Sequence, residues 1–184
     1  MQPCRIETAH ARGFARAAVR PFRRRALLLL VSGSALCLGL LVYLADRRAA
    51  DTLLLPGFAA LGTGPLFGII AQWLPSFIHP FAFSLLSAAA MRRRVASGLA
   101  PFSICALWWA VNLAFEVGQH PRFSAPIADA LQFGLGLNAL TVALSRYFLH
   151  GHFDWGDVAA VSAGALAAAA VLWLLDASED RHDA

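Results

Sequence analysis

The chain has 184 residues, of which 59% are hydrophobic and only 14% are charged, and its mean hydropathy is +0.61. A soluble domain usually carries about 25% charged residues, so this composition excludes an ordinary water-soluble protein and indicates an integral membrane protein. The net charge of +4 is carried by arginines clustered beside apolar stretches, a pattern of membrane anchors rather than of a nucleic-acid surface, and we expect no nucleic-acid partner.

The chain begins with a basic tail, residues 1–25, that contains seven arginines. Residues 26–45 form an apolar stretch of about twenty residues, which is long enough to cross the hydrocarbon core. The apolar region of a cleaved signal peptide is shorter, about 7–15 residues. We therefore predict a cytoplasmic tail, with at most a short amphipathic helix, followed by an uncleaved first span.

Residues 52–75 are apolar but interrupted by prolines and glycines, including Pro56 and Pro65. Such residues argue against one straight helix, so we predict an interfacial or re-entrant segment with Trp73 at the headgroup boundary. If this segment alone crossed instead, Arg92–Arg94 would be exported, which the positive-inside rule disfavours.

The second span is predicted at residues 74–91, and the arginine triplet follows it. Pro80 is interpreted as lying in its first turns, where backbone N–H groups lack helical acceptors. The third span is predicted at residues 96–117.

Residues 127–149 are apolar enough to cross, yet they carry polar side chains on several sides as well as Gly134 and Gly136. We predict a helical segment at, or dipping into, the outer surface; a crossing remains the alternative. Residues 157–175 form the last span, and residues 176–184 form an acidic, solvated tail. The prediction is an all-α polytopic bundle of about four spans plus interfacial or re-entrant segments within residues 26–175, with both termini cytoplasmic.

Polar residues lie where a bilayer disfavours them. Asn112, Glu116 and Gln119 are spaced i, i+4, i+7 and so share one face of the third span. Ionisable groups at such depth usually face the bundle interior or a wet cavity. In the four-span topology other polar residues reach the same depth, so we predict one polar cluster: His79, Asn112, Glu116, Gln119, Asp154 and Asp157.

Each of these residues also has an ordinary structural role open to it. Asp157 could cap the last helix, Asn112 could join two helices, and His79 could hydrogen-bond a carbonyl group. Gln119 could simply end its helix. Glu116 is the hardest to explain without a shared network or a function, because no neighbour in the sequence neutralises it.

Three ordered patterns carry a family resemblance. They are His79-x-x-x-Phe83, then Glu116-x-x-Gln119, then Phe153-Asp154-x-x-Asp157 before a helix of small residues. In this order they resemble the VanZ-like membrane protein family over roughly residues 70–175. Val161 departs from the family pattern, which often has asparagine there. The resemblance implies a bacterial inner-membrane protein associated with the cell envelope, and it implies no particular reaction.

Two functions are consistent with these residues. In the first, the cluster is structural or binds the headgroup of an envelope lipid. In the second, the protein is a membrane enzyme acting at the outer leaflet, where His79, Glu116 and Asp157 supply a general base or a metal site. No HExxH, CxxC or phosphate-loop motif supports the enzyme, and the three cysteines have no zinc-like spacing. We expect membrane lipid as a partner, and no metal or other cofactor.

Overall fold

The computed structural model describes residues 6–46, 67–91, 99–136 and 138–183. These residues form six helices and contain no strand, which confirms the predicted all-α fold. The helices are α1 (Ile6–Asp46), α2 (Ile70–Ala90), α3 (Ala100–Gly118), α4 (Pro121–Leu135), α5 (Ala139–His150) and α6 (Trp155–Asp183).

Four of these helices are long and apolar enough to cross a membrane. Their apolar stretches are Arg23–Ala45 in α1, Ile70–Ala90, Ala100–Gly118 and Trp155–Ser178 in α6. Each has the roughly 20 residues that the hydrocarbon core requires. The four predicted spans therefore agree with the structure to within a few residues at most ends. The interrupted stretch 52–66 and the predicted start of the third span, 96–98, lie outside the described residues.

Long helices that follow one another along the chain run antiparallel, so α2 and α6 run parallel. Helix α2 lies between α1 and α6, and α3 packs against α2 and α6. At one end, Arg24 of α1 pairs with Asp176 of α6 at 2.5 Å. Arg25 beside it donates to the carbonyl of Ala89 at the end of α2, 2.7 Å away. The start of span one and the end of span four therefore lie at the same end of the bundle, as an even number of spans requires. We call this the basic end, because Arg24 and Arg25 lie there.

Small residues let the helices approach closely at the α2–α6 contact. A Cβ atom added at Gly164 would lie 2.1 Å from the carbonyl oxygen of Phe77, so only glycine fits there. The apolar core nearer the basic end includes Leu28, Leu85 and Leu172, each at most 2% exposed. Burial of such side chains against neighbouring helices joins the spans into one bundle.

Three boundaries differ from the predictions. Helix α1 runs without a break from Ile6, through most of the region predicted as a tail, and α6 runs to Asp183 through the predicted acidic tail. Helix α2 begins at Ile70, so Pro75 and Pro80 are both interior. The interpretation of Pro80 as a first-turn residue was wrong, because it assumed too late a start for this helix.

Residues 127–149 form parts of two helices, α4 and α5, rather than one segment. Gly136 adopts a left-handed φ of 71°, which glycine tolerates. Asn138 then starts α5 with a capping box shared with Thr141. The resulting hairpin joins the end of α3 to the start of α6. Its helical character agrees with the prediction, and its position at the membrane surface stays a prediction.

Candidate functional site

A cavity of about 300 Å³ lies toward the end of the bundle opposite the basic end. Its walls are formed by α2, α3 and α6, with α5 on one side. We call this the polar cavity, since five of its side chains carry hydrogen-bonding groups other than an indole. Its lining residues are Ser76, His79, Phe83, Trp108, Val111, Asn112, Phe115, Glu116, Tyr147 and Val161.

One wall of the polar cavity is a ladder of stacked rings. His79 stacks on Phe83 one helical turn later in α2, with ring centroids 6.0 Å apart. Phe83 in turn stacks on Trp108 of α3 at 4.8 Å. The indole N–H of Trp108 donates to the hydroxyl of Ser87 at 2.9 Å, which holds the Trp108 ring in place. The His-x-x-x-aromatic spacing therefore builds a rigid wall across two helices.

Helix α3 supplies the acidic group. Asn112 and Glu116 are one turn apart and both line the cavity, as expected for their shared face. Glu116 is only 9% exposed although it lies two residues before the end of α3. The amide N–H of Asn112 donates to the carbonyl of Trp108 at 2.7 Å, so this bond stays within α3.

Gln119 acts on the cavity through Tyr147, a residue that sequence reasoning missed. The buried Gln119 amide donates to the Tyr147 hydroxyl at 2.6 Å. Tyr147 lines the cavity from α5 and packs edge-on against Phe115, with centroids 5.7 Å apart. No motif marks Tyr147, because its role depends on α5 folding back over the end of α3.

The two aspartates lie at the same end of the bundle but do not line the cavity. Asp157 accepts a hydrogen bond of 2.7 Å from the hydroxyl of Ser76, which joins α6 to α2 beside the cavity. Asp154 accepts from the backbone N–H of Gly156 at 2.9 Å and from the indole of Trp73 at 3.1 Å. The capping role considered for Asp157 therefore belongs to Asp154.

The surroundings of Asp154 also change its acidity. The Gly156 N–H, and after it the Trp73 indole, favour the charged carboxylate and lower the pKa of Asp154 below its ordinary value of 3.8. This carboxylate lies outside the four spans, at the start of α6. It is therefore an anchor for the Trp73 end of α2 rather than part of the cavity chemistry.

The polar cavity is open to the outside of the bundle. His79 is exposed, and Val111 and Phe115 are 36% and 39% exposed although they also line the cavity. Because an enclosed cavity would have fully buried walls, these residues form its rim. The rim lies on the side surface of the long helices, which faces lipid when the helices cross a membrane.

The chemical groups available are one carboxylate, one imidazole, one amide, two hydroxyl groups and an aromatic surface. Among residues 6–46, 67–91, 99–136 and 138–183, no group of three or more His, Cys, Asp or Glu side chains could hold a metal ion. Of the six residues in the predicted cluster, His79, Asn112 and Glu116 line the cavity, and Gln119 and Asp157 each bond a residue that does. Asp154 neither lines the cavity nor bonds a residue that does.

Comparison of the chain with protein-family models, with curated proteins and with solved structures finds no match.

Proposed function

We propose that this protein is a VanZ-like membrane protein of the bacterial inner membrane, whose polar cavity binds the headgroup of an envelope lipid. The observation that carries the proposal is the polar cavity itself. It combines polar side chains from α2, α3 and α5 with aromatic walls, and it opens sideways. Ligand sites are typically concave and mostly apolar, with a few converging polar groups, and begin at about 300 Å³.

The depth of the cavity suits a headgroup. At about 1.5 Å of rise per residue, Glu116 lies roughly 3 Å and Asn112 roughly 9 Å before the end of α3. If the membrane boundary is at the end of α3, the cavity lies just below it. Its rim residues Val111 and Phe115 are apolar and exposed, which supports contact with acyl chains that stay in the bilayer.

The orientation follows from the basic end. Seven arginines precede residue 26, and those at the start of span one lie beside the end of span four. The positive-inside rule assigns such a cluster to the cytoplasm. The polar cavity would then open into the outer leaflet of the inner membrane.

The test is lipid retention by a cavity-filling variant. Val111→Trp places a larger side chain at the rim of the cavity. Because Val111 is partly exposed, the larger side chain does not disturb the packing of α3. Leu107→Trp places the same side chain one turn earlier on α3, at a 60% exposed position that does not line the cavity. Native mass spectrometry of the purified proteins with polar lipid extract should show lipid lost from Val111→Trp and retained by Leu107→Trp. Equal lipid occupancy in both variants would refute binding in the cavity.

The second candidate is a membrane enzyme acting on such a lipid. It is favoured by one observation, that His79 and Glu116 line the same cavity, where an imidazole and a carboxylate could transfer protons. Under this reading, the wild type converts a bound lipid to a product of different mass, and Glu116→Gln binds lipid without converting it. If wild-type protein leaves every lipid of the extract unchanged, the enzyme is excluded and the binding role stands.

A further inference from the structure

We infer that the tip of the α4–α5 hairpin inserts into the hydrocarbon of one membrane leaflet, the one at the end of the bundle opposite the basic end. We define the hairpin tip as residues 130–145, which comprise the end of α4, the turn at Gly136 and the first half of α5. Its partner is the acyl chains of the surrounding bilayer. The inference depends on the four long helices crossing a membrane, and it is independent of any lipid bound in the polar cavity.

The first observation is that large apolar side chains of the hairpin tip are exposed. Phe133 is 96% exposed, and Leu135 and Leu140 are 64% and 67% exposed. The two helices of the hairpin pack chiefly against each other. Helix α5 contacts α3 near its other end, where Phe148 stacks on Phe115. Exposed apolar side chains grouped in this way mark a surface that contacts a membrane or another protein.

The second observation is that the turn pairs its polar side chains internally. The Asn138 side chain accepts hydrogen bonds from the backbone N–H groups of Leu140 and Thr141, both at 3.0 Å. It also donates to the carbonyl of Leu135 at 3.2 Å. The Thr141 hydroxyl accepts from the N–H of Asn138 at 3.0 Å and donates to the carbonyl of Gly136 at 2.6 Å. Because these groups do not depend on water, the turn enters lipid at a lower cost than a solvated turn does.

The third observation is the distribution of charge along the hairpin, which favours a bilayer over a second protein. Residues 130–145 contain no Asp, Glu, Lys, Arg or His. Exposed charged side chains flank this stretch on both helices, with Arg122 and Asp129 on α4 and Arg146 on α5. Arginines beside an apolar segment are attracted to headgroup phosphates. The base of the hairpin therefore suits the headgroups, and its tip suits the acyl chains.

The length of the hairpin limits how deep its tip reaches. At about 1.5 Å of rise per residue, α4 is roughly 22 Å long and α5 roughly 18 Å, and both are shorter than the hydrocarbon core of about 30 Å. The hairpin starts and finishes at the same end of the bundle, because it joins the end of α3 to the start of α6. We therefore expect the tip to stay in one leaflet, about 5–10 Å below the headgroups as in interfacial helices.

The experiment measures the depth of single spin labels on the full chain in phosphatidylcholine vesicles. Phe133→Cys and Leu140→Cys are each made in a variant whose three native cysteines are replaced by alanine. Collisions of the label with oxygen, which concentrates in hydrocarbon, are compared with collisions with a water-soluble nickel chelate. Both labels should favour oxygen and lie about 5–10 Å below the headgroups. The matched control is Arg122→Cys at the base, whose label should favour nickel, and Leu107→Cys on the exposed face of α3 gives the value for a lipid-facing label.

Two results with these labels would overturn the inference. If the labels at the tip collide with the nickel chelate as often as the label at Arg122→Cys, the tip lies in water. If they are shielded from both reagents, protein covers the tip, and spin–spin broadening between labels would identify that protein as a second copy of the chain.

A second measurement uses the unmodified chain, so it does not depend on the folding of any variant. The wild type is placed in vesicles that contain a phosphatidylcholine with a photoreactive diazirine on one acyl chain. After illumination, peptide mass spectrometry should find the lipid attached within residues 130–145. Lipid attached to the long helices but absent from this segment would contradict insertion of the tip.

Discussion

Replacing Gly164 by alanine tests the close contact between α2 and α6. The added Cβ atom would lie 2.1 Å from the carbonyl oxygen of Phe77 and 3.1 Å from Cγ of Pro80. The first of these is a backbone atom, which cannot rotate away as a side chain can. The two helices must therefore separate by about 1 Å to reach an ordinary contact distance.

The expected cost is the difference between two effects. Overpacking of a close interface costs typically 1–3 kcal/mol, and the backbone contact places Gly164→Ala near the upper end, at about 3 kcal/mol. Alanine recovers up to about 1 kcal/mol through its better helix propensity. We therefore expect the free energy of unfolding to fall by roughly 2 kcal/mol.

The assay is unfolding of the purified protein in detergent, with the loss of helix monitored by circular dichroism. The matched control is Gly33→Ala in α1, where the added Cβ meets no atom within 4 Å. Gly33→Ala should be neutral or slightly stabilising, because only the propensity term applies there. Gly164→Ala that is as stable as Gly33→Ala would refute the close packing of α2 on α6.

Three further predictions concern the contacts at the two ends of the bundle. Tyr147→Phe should lower the free energy of unfolding by about 1–2 kcal/mol, since the buried Gln119 amide loses its acceptor; an unchanged thermal midpoint would contradict the bond. A double-mutant cycle of Arg24→Ala and Asp176→Ala should show a coupling of about 1 kcal/mol at low salt that weakens at high salt, and zero coupling would show that this ion pair does not stabilise the fold. Because the pKa of Asp154 is lowered in the folded state, its stabilisation is present above pH 3.8 and is lost as pH falls through the folded value. The thermal midpoint of Asp154→Asn should therefore lack this loss, which a parallel acid titration of both proteins would detect.

The number and type of the long helices could be predicted because they depend on local quantities. An apolar stretch of about twenty residues must satisfy its own backbone in lipid, and a helix is the simplest way to do so. Boundaries were harder to predict. The second span was predicted from residue 74, with Pro80 in its first turns, yet the helix begins at Ile70 and contains both Pro75 and Pro80. Packing of α2 between α1 and α6 outweighs the helix bonds that the prolines remove.

The candidate site was predictable only where its residues share one helix. The i, i+4 spacing of Asn112 and Glu116 is enough to place them on one face, and both line the cavity. Residues on other helices were grouped only by their predicted depth in the membrane. Depth alone does not show that His79 lines the cavity while Asp154 binds Trp73 outside it.

Apolar length and the distribution of arginine determine that this chain forms a four-helix membrane bundle with one basic end, because both act on each segment separately. The polar cavity exists only in the tertiary structure. Glycine at position 164 lets α2 and α6 meet, and the turn at Gly136 returns α5 so that Tyr147 reaches Gln119. These contacts join residues far apart in the chain, so no local pattern contains the information about which side chains face the same space.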